Sequence, residues 1–457
     1  MMTLACFKSY DIRGRIGLDL DEETCRATGR AFATVMTPGA VVLGRDIRAT
    51  SEAFHGALAE GLLESGVDVI DIGLCGTEEV YFATDHFGAG GGLMVTASHN
   101  PIDYNGIKLV ERGARPIVPD GGFRQIGDLV AAGIAAPDVP RGRLRRGEHR
   151  PAYVEKVLSF IDPAALTQGT ILVNAGNGCA GPTFDAIATE LATRGAQLRF
   201  ERMHHKPDGS FPHGIPNPLL PENRPGTAEA VRAAGADFGV AWDGDFDRCF
   251  LFDETGAFID GEYLVGLLAE AFLEKSPGAR IVHDTRVMWN TRDVVARNGG
   301  EAVPALTGHV HVKAAMRAVD AVYGGEMSAH HYFRDFMYCD SGMIPWLLIA
   351  EHLCKTGKPL SALIGEMRAA YPSSGEINFR VTDAGAAIEA IEATLAPEAL
   401  EIERMDGLGL VFTDWRLNLR RSSTEPVLRL NMEARGDRAL LARKQEEVIA
   451  LIRRFEA

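Results

Sequence analysis

Two short loops contain the side chains best suited to chemistry. The segment TASHNP at 96–101 places Ser98 directly after the apolar run GGLMV. The segment DGDFDR at 243–248 places Asp243, Asp245 and Asp247 at alternate positions, again after an apolar run. A serine at the end of a buried strand can act as a nucleophile or as a phosphoryl carrier. Alternating carboxylates in an extended loop can turn to one side and offer the hard oxygen ligands that Mg²⁺ prefers.

Each of these loops also has a simpler interpretation. TASHNP fits an Asn-Pro turn in which Ser98 is a local turn residue. Because His99 is adjacent in sequence, we expect its ring to point away from Ser98, which argues against a Ser/His hydrolase. DGDFDR fits an acidic turn at a strand end. It does not fit an EF-hand, which needs Gly where Arg248 stands, and a DxDxT phosphatase motif would need Thr where Cys249 stands.

Two further loops offer groups for binding. GGEMSAHHYF at 324–333 has glycines that let the backbone approach a ligand closely. Its side chains that could hydrogen-bond a polyol are Glu326, Ser328, His330 and His331. RRSSTEP at 420–426 brings two Arg, two Ser and a Thr into one turn, which suits a phosphate. Taken singly, the first also fits a surface loop and the second an Arg-rich hairpin turn.

The elements that must position these loops alternate between strands and helices. Apolar β-rich runs predict strands at 41–44, 67–73, 91–97, 170–175, 197–202, 236–242, 249–252, 279–284 and 320–325. Helices are predicted near 51–65, 183–194, 226–234, 261–274 and 289–298. This alternation predicts three similar α/β units with mostly parallel sheets. Such sheets bind ligands at the carboxyl ends of their strands.

The last part of the chain has a different pattern. From about Gly375 several strands lie close together, with helices predicted near 384–395 and 437–455, which indicates a smaller α+β domain. Between the first two units, the segment at 141–150 contains five Arg without aromatic residues. We expect a solvated linker there rather than a nucleic-acid patch.

A possible dinucleotide fingerprint, GxGxxG, occurs at Gly176, Gly178 and Gly181, with Glu201 further on. The unit that holds it is too short for the two-halved nucleotide fold. A dinucleotide enzyme would also leave the four loops above unexplained, so we expect no NAD binding.

Composition restricts the classes of function. A chain of 457 residues predicts three or four domains. Its 46% hydrophobic and 24% charged residues are typical of a soluble globular protein. The net charge of −15 argues against nucleic acid or an anionic membrane as partner. Seven widely spaced cysteines without a CxxC pair predict reduced thiols, and no apolar run is long enough for a membrane span. With no recognisable signal peptide, we expect a cytoplasmic protein.

In order and spacing, the four loops together resemble those of the α-D-phosphohexomutases, most closely the bacterial phosphomannomutases. TASHNP resembles that family's phosphoserine loop, DGDFDR its magnesium loop, GEMSAH its sugar-recognition loop and RRSSTEP its phosphate-binding loop; FKSYDIRG at 7–14 resembles its N-terminal motif. The resemblance covers essentially the whole chain. It implies three similar α/β domains with mixed, mostly parallel sheets and a smaller C-terminal α+β domain around a central cleft. The expected domains are 1–147, 148–256, 257–372 and 373–457.

The resemblance also implies an activity. The expected reaction interconverts mannose 6-phosphate and mannose 1-phosphate through a phosphoserine enzyme and a 1,6-bisphosphate intermediate, supplying GDP-mannose synthesis. The expected cofactors are Mg²⁺ and, as activator, glucose 1,6-bisphosphate or mannose 1,6-bisphosphate. Hexose phosphates are the expected partners, without nucleic acid or membrane, and the protein is expected to be a monomer or homodimer. The GEMSAH loop favours mannose or glucose phosphates over glucosamine phosphate.

Residue roles follow from the same resemblance. The expected catalytic residues are Ser98, Lys108, Arg13, Arg248, His309 and His330. The expected substrate-binding residues are Tyr10, Glu326, Ser328, Arg420, Ser422, Ser423 and Thr424. The expected metal ligands are Asp243, Asp245, Asp247 and Ser98. One of Tyr10, Arg13, His309 and His330 is expected to act as general base, without a choice among them. Ser423 departs from the family pattern, because Asn is common at that position and its amide differs in reach from a hydroxyl.

Three alternatives to this function stay open at this point. Phosphoglucomutase could be the main activity, since mannose and glucose phosphates differ only at C2. A phosphatase would use Ser98 or Asp245 to take the phosphate and water to release it. A sugar-phosphate binding protein would need neither Ser98 nor the three aspartates.

Overall fold

The computed structural model describes residues 4–421 and 427–456. The chain divides into two compact units, one comprising the residues up to Phe258 together with Asp335–Gly357, the other comprising Ile259–Arg334 and the residues from Lys358 onwards. Three sheets contain parallel strand pairs flanked by helices, and the fourth is antiparallel. This confirms the predicted fold class of three α/β domains and a final α+β domain.

The first sheet lies in the first unit. Its strands are β1 (Ile12–Arg15), β2 (Ala40–Arg45), β3 (Asp68–Leu74), β4 (Gly91–Val95), β5 (Tyr104–Glu111), β6 (Arg115–Pro116) and β7 (Leu144–Arg146). Its helices are α1 (Glu22–Met36), α2 (Ser51–Glu64), α3 (Thr77–His86) and α4 (Arg124–Ala131). The strand order is β1-β5-β4-β2-β3-β7, with β6 paired to β5. Because β2, β3 and β4 are parallel, their carboxyl ends lie along one edge.

The second sheet also lies in the first unit. Its elements are α5 (Arg150–Leu158), β8 (Gly169–Asn174), α6 (Ala180–Thr193), β9 (Leu198–Met203), α7 (Pro225–Ala234), β10 (Phe238–Trp242) and β11 (Cys249–Asp253). The order is β11-β10-β8-β9, in which only the β10–β11 pair is antiparallel. Both β4 and β10 are buried along their whole length, as expected for strands covered on both faces.

The second unit begins with a further α/β arrangement. Its elements are α8 (Gly261–Lys275), β12 (Arg280–Asp284), α9 (Trp289–Arg297), β13 (Glu301–Ala305), α10 (His309–Val319), β14 (Tyr323–Gly325) and β15 (His331–Phe333), and these strands lie in the order β13-β12-β14-β15. Strand β13 was not predicted because it contains Pro304, which an edge strand tolerates. The chain then contributes β16 (Cys339–Asp340) and α11 (Met343–Thr356) to the first unit.

The fourth sheet completes the second unit. After α12 (Leu360–Ala370) come β17 (Ser373–Arg380), α13 (Ala384–Leu395), β18 (Glu401–Glu403), β19 (Leu408–Val411), β20 (Trp415–Arg421), β21 (Val427–Ala434) and α14 (Arg438–Ile452). All strand pairs are antiparallel, in the order β17-β21-β20-β19-β18. Ile391 of α13 and Val448 of α14 belong to the same apolar core as Leu410, Leu417 and Leu430, so both helices cover this sheet.

The expected solvated linker at 141–150 is wrong in part. Leu144–Arg146 form β7, which pairs in parallel with β3 at the sheet edge. The Arg141 guanidinium donates to the Glu60 carboxylate, and Arg150 Nε donates to Glu79 Oε1 at 3.0 Å. Arg141 and Arg150 therefore pair with carboxylates of the first unit, while most of the segment is exposed as expected.

Glu79 is the central acceptor of a buried network in the first unit. Its carboxylate is fully buried and accepts from Gly76 N at 3.0 Å, Thr183 Oγ1 at 2.9 Å and Arg150 Nε, with His149 Nε2 at 3.0 Å. Burial opposes ionisation, but the His149 hydrogen bond and the Arg150 charge lower the pKa of Glu79 to about 2. The network joins α3, which packs on the first sheet, to α5 and α6 of the second. One carboxylate therefore links the parts of the first unit that contain the first two sheets.

Replacing this carboxylate should destabilise the protein. We expect Glu79→Gln to lower the free energy of unfolding by about 3 kcal/mol at pH 7, because an amide NH₂ would face the surrounding donors and leave the partly buried Arg150 guanidinium without its carboxylate. Urea denaturation followed by fluorescence measures this. Because the pKa falls from its ordinary value of 4.5 to about 2, Glu79 stabilises above pH 4.5 and loses this effect as the pH falls towards 2. The difference in the free energy of unfolding between Glu79→Gln and the wild type should therefore decrease as the pH falls from 4.5 towards 2.

The control is Glu52→Gln, which removes an exposed carboxylate paired with Arg45 at 3.3 Å. Exposed ion pairs contribute little, so its unfolding curve should match the wild type. Equal curves for Glu79→Gln and the wild type would contradict the role of the buried network.

Candidate active site

In the first unit, chemically active side chains follow the carboxyl ends of parallel strands. Arg48 follows β2, Thr77 follows β3, Ser98 follows β4 and the aspartate loop 243–248 follows β10. Hydrogen bonds connect all four segments, from Arg48 to the Ser98 loop, from Ser98 to Asp243, and from Thr77 to Asp245. Open α/β sheets bind ligands at the carboxyl ends of their parallel strands, and this strand-end rule predicted Ser98 and the aspartates. It therefore applies to all four segments.

Ser98 is buried and has a left-handed backbone, with φ of 47°. Its Oγ donates to Asp243 Oδ2 at 2.5 Å and lies 3.0 Å from His99 Nδ1. The expectation that His99 points away is wrong, because the left-handed turn breaks the alternation of side chains found in extended backbone. Arg248 Nη2 lies 2.5 Å from the same nitrogen. Since the guanidinium can only donate, His99 Nδ1 is an acceptor.

The environment of His99 disfavours protonation of its ring. Although the residue is exposed as a whole, desolvation of the imidazole by the surrounding groups and the nearby charges of Arg248 and Arg13 lower its pKa well below the ordinary value. Nδ1 accepts from Arg248, and the Ser98 hydroxyl has only one proton to donate. The shorter contact shows that this proton is directed at Asp243.

The three aspartates of the loop form one cluster. Each offers a carboxylate oxygen, and these oxygens lie within 4.8 Å of one another, all on buried residues. Asp243 Oδ1 and Asp245 Oδ1 are buried and have no hydrogen-bond partner among the described residues. Their Oδ2 atoms accept hydrogen bonds from the protein, that of Asp243 from Ser98 and that of Asp245 from Lys108. Hard oxygen donors left free in this way fit a divalent cation.

Cationic side chains compensate the cluster. Lys108 Nζ donates to Asp245 Oδ2 at 2.8 Å and to Asp247 Oδ2. Arg248 donates to Asp243 Oδ2 at 2.8 Å, and Arg13 Nη1 donates to Thr96 O at 2.6 Å, just before Ser98.

The pKa values in this cluster shift in the directions expected for buried ion pairs. Burial disfavours the charged forms, but Lys108 and Arg13 hold the pKa of Asp245 well below its ordinary value. Conversely, Asp245 and Asp247 outweigh burial and raise the pKa of Lys108. Asp243 and Asp247 do the same for Arg248. Opposite charges thus keep each other ionised in a site with little access to water.

Two glycines let the loops approach closely. A Cβ at Gly244 would lie 2.6 Å from Ser98 O, and one at Gly178 would lie 2.7 Å from Gly244 O. Both distances are too short for any side chain, so the aspartate loop is packed between the serine loop and the start of α6. Gly178 is the second glycine of the GxGxxG pattern. Its close approach to the backbone of Gly244 explains why a glycine stands at that position.

Sequence reasoning missed Arg48, which shapes the serine loop. This buried side chain donates to Ser98 O at 3.0 Å and Asn100 O at 2.5 Å from one nitrogen, and to Pro101 O and Tyr104 O from the other. Its position after β2, at the same sheet edge as Ser98, was the available signal. Tyr10, an expected substrate residue, is half-buried in the segment before β1.

In the second unit, the loop at 324–333, which was expected to recognise the sugar, is built around Arg286. Glu326 Oε1 accepts from Gly308 N at 2.8 Å and lies 3.8 Å from Arg286 Nη2, while Glu326 Oε2 accepts from Tyr332 at 2.5 Å. Ser328 Oγ lies 3.5 Å from the same guanidinium nitrogen. The structure thus brings Glu326 and Ser328 together as expected, and adds a buried arginine between them.

Arg420 joins this cluster through a carboxylate. Its Nη2 donates to Glu376 Oε2 at 2.8 Å, which also lies 3.7 Å from Arg286 Nη1. Arg429 lies 3.4 Å from Glu376 Oε1. Burial opposes ionisation of Glu376, but these three arginines hold its pKa below its ordinary value.

The other predicted residues of this unit are placed as follows. His309 is the first residue of α10 and follows Gly308, which contacts Glu326, while His330 closes the loop by accepting from Glu326 N through its backbone oxygen at 3.0 Å. Ser422, Ser423 and Thr424 lie outside the described residues. Sequence reasoning missed Arg286, Glu376 and Arg429. Arg286 follows the carboxyl end of β12, a position at which the strand-end rule could have identified it.

Comparisons with known proteins agree with this geometry. Models of phosphoglucomutase/phosphomannomutase match in four parts: α/β/α domain I at 5–132, domain II at 151–256, domain III at 260–371 and the C-terminal domain at 376–451. The chain belongs to the phosphoglucomutase/phosphomannomutase family. The four matches also agree with the four sheets of the fold.

Relatives of this family match over the full length. A phosphomannomutase of Salmonella montevideo is 56% identical over 454 residues, which cover 99% of this chain and 100% of that protein. A protein of Xanthomonas campestris pv. campestris named "Phosphohexose mutases" is 54% identical over 452 residues, covering 99% and 100%. The crystal structure of a phosphoglucomutase/phosphomannomutase family protein from Burkholderia thailandensis has a TM-score of 0.88 at 33% identity, covering 99% and 98%.

Within the part of the chain that the structure describes, every helix falls short of the length and hydropathy that crossing a bilayer would require.

The aspartate cluster gives a test of cation binding. In Asp245→Asn, the amide oxygen should face the donors Thr77 and Lys108, which turns NH₂ towards the position of Oδ1 and removes a ligand oxygen. We expect at least about a tenfold loss of Mg²⁺ affinity by isothermal titration calorimetry. Glu254→Gln, which neutralises an acid in the turn after β11, is the control and should bind as the wild type does. Unchanged affinity in Asp245→Asn would exclude Asp245 as a ligand.

Proposed function

We propose that this protein is a phosphomannomutase, which interconverts mannose 6-phosphate and mannose 1-phosphate and supplies GDP-mannose synthesis. The observation that carries the proposal is the Ser98 hydroxyl, bonded at 2.5 Å to one of three clustered, buried aspartates. Full-length relatives such as the Salmonella protein carry the name phosphomannomutase. Phosphoglucomutase as main activity is less favoured for that reason.

The reaction needs a phosphoryl carrier, because direct transfer between O1 and O6 of one hexose is geometrically poor for in-line attack. In the proposed mechanism, the free sugar hydroxyl attacks the phosphorus of phospho-Ser98. A new P–O bond to the sugar forms, the bond to Ser98 Oγ breaks, and the sugar hydroxyl loses its proton to a base. The resulting 1,6-bisphosphate turns over, and Ser98 Oγ loses its proton and attacks the other phosphate. The new Oγ–P bond regenerates phosphoserine, the sugar O–P bond breaks, the freed sugar oxygen takes up a proton, and the hexose monophosphate isomer is released.

The residues around Ser98 have distinct roles in this mechanism. Mg²⁺ bound by Asp243, Asp245, Asp247 and the Ser98 side chain would neutralise charge on the transferring phosphoryl group. Arg248 and Lys108 add positive charge beside it. Arg13, bonded to Thr96 O, supports the strand end that carries Ser98. Asp243 Oδ2 accepts a hydrogen bond from the Ser98 hydroxyl, so Asp243 is well placed to take that proton when Ser98 attacks.

Sugar recognition is assigned to the second unit. Glu326 and Ser328 would bind sugar hydroxyls. Arg420 would bind the non-reacting phosphate together with Ser422, Ser423 and Thr424. Arg286, which lies 3.7 Å from the Glu376 carboxylate that accepts from Arg420, adds a buried cation. Tyr10, from the first unit, completes the proposed substrate contacts. His309 and His330 are proposed catalytic residues, and one of Tyr10, Arg13, His309 and His330 would be the base that takes the proton of the sugar hydroxyl. Glucose 1,6-bisphosphate or mannose 1,6-bisphosphate would restore phospho-Ser98 as activator.

The remaining assignments are part of the same proposal. The domains are 1–147, 148–256, 257–372 and 373–457, and each contains one of the four matched family segments. The seven cysteines, all free, support a reducing, cytoplasmic location. The protein acts as a monomer or homodimer on hexose phosphates, without nucleic acid or membrane.

The serine is tested by Ser98→Ala. We expect turnover to fall by at least about a thousandfold, because no other group replaces the phosphoryl carrier, while circular dichroism and the urea midpoint stay close to the wild type. Ser159→Ala, which removes an exposed hydroxyl bonded to Lys156 O, should keep full activity. Normal turnover in Ser98→Ala would refute the carrier role.

The substrate is tested by comparing the two 1-phosphates with glucose 1,6-bisphosphate as primer. We expect a higher kcat/KM for mannose 1-phosphate than for glucose 1-phosphate, with the 6-phosphate as product. Release of inorganic phosphate instead would identify a phosphatase. Binding without metal-dependent turnover would identify a sugar-phosphate binding protein.

A further inference from the structure

Thr77 connects the first sheet to the aspartate cluster without belonging to any of the four loops. It is the first residue of α3, follows β3 and is fully buried. Its Oγ1 donates to Asp245 Oδ2 at 2.6 Å, and its backbone N–H donates to Asp245 O at 3.1 Å. One residue therefore fixes both the backbone and the carboxylate of an aspartate that lies 168 positions away.

The contact determines which oxygen of Asp245 is free. Oδ2 takes the Thr77 hydroxyl and Lys108, so Oδ1 is left without a partner among the described residues. A carboxylate held at one oxygen cannot rotate to present the other edge without breaking these bonds. Thr77 thus helps to fix the orientation of the carboxylate in which Oδ1 is buried and available to a cation.

Lys108 cannot keep this orientation alone once a cation is bound. Its ammonium group and a divalent cation at the same carboxylates repel each other, so the Lys108 contact weakens on binding. The Thr77 hydroxyl is neutral and is not repelled. The hydroxyl also accepts a hydrogen bond from Lys108 Nζ at 3.3 Å. It therefore acts both as a donor, to Asp245, and as an acceptor, from Lys108.

The neighbouring residues fix Thr77 in turn. Gly76 lies against the ring of Phe246, where a Cβ would come within 2.2 Å of ring carbon. Glu78 accepts from Ser341 Oγ at 2.7 Å and Gly342 N at 2.5 Å, and Glu79 is the centre of the network described above. The start of α3 is therefore a rigid support for the aspartate loop.

We propose that Thr77 is a positioning residue for divalent-cation binding, which orients Asp245 through its hydroxyl; this rests on the cation site of the proposed function. Ligand-orienting partners of this kind typically change metal affinity by about 10- to 100-fold. The loss should appear in the affinity for the cation more than in kcat at saturating cation.

The test compares Thr77→Val, which keeps the shape and removes the hydroxyl, with Thr77→Ser, which keeps the hydroxyl. Mg²⁺ binding is measured by isothermal titration calorimetry on the full-length protein, and the Mg²⁺ dependence of kcat is measured beside it. We expect Thr77→Val to raise the Kd for Mg²⁺ by about 10- to 100-fold, and Thr77→Ser to stay close to the wild type. Thr77→Ala provides the same loss of hydroxyl if Val disturbs folding.

Thr84→Val is the matched control. Thr84 is also fully buried on α3, but its hydroxyl donates only to Val80 O at 2.7 Å. This variant should bind Mg²⁺ as the wild type does. A Thr77→Val affinity equal to wild type, or an equal loss in Thr84→Val, would overturn the proposal while leaving the cation site in place. Absence of Mg²⁺ binding in the wild type would overturn both the positioning role of Thr77 and the cation site of the proposed function.

Discussion

The structure around Ser98 depends on burying three carboxylates in one place. Asp243, Asp245 and Asp247 lie close enough to share a ligand, and their mutual repulsion in a poorly hydrated site would be large without compensation. Lys108, Arg248 and Arg13 supply that compensation. Since these cations come from β1, β5 and the aspartate loop itself, the charge balance is established only when the first two sheets are folded and packed together.

The same balance explains how the loops are shaped. Each aspartate oxygen that faces protein is bonded to a donor with a fixed position, such as Ser98, Arg248 or Thr77. The close approach of Gly244 to Ser98 O then leaves no room for a different loop path. In the second unit the signs are reversed, because one carboxylate, Glu376, pairs with three arginines, Arg286, Arg420 and Arg429. A phosphate bound to these arginines would compete with a charge that is already there.

Much of this arrangement could be predicted from sequence, for identifiable reasons. Apolar runs followed by polar loops located Ser98, Asp243 and Glu326, because each of the three α/β sheets presents such residues at the carboxyl ends of its own parallel strands. What failed was any prediction that needed backbone conformation or long-range pairing. The left-handed turn at Ser98 brought His99 back to the serine, and the pairing of Arg150 with Glu79 turned an expected linker into structure. Arg48 and Thr77 were missed because each resembles an ordinary loop or helix residue until its partner is known.

The net charge of −15 does not prevent such a protein from binding an anion. Charges on the outer surface are screened over about 8 Å at physiological ionic strength, whereas the groups around Ser98 act over hydrogen-bond distances with little water between them. There Lys108 and Arg248 pair with the three aspartates, and Arg13 pairs with Asp11. A divalent cation would add the positive charge that a phosphoryl group requires. A phosphoryl group would then meet a local charge opposite to its own, and the acidic surface would influence only solubility and non-specific partners.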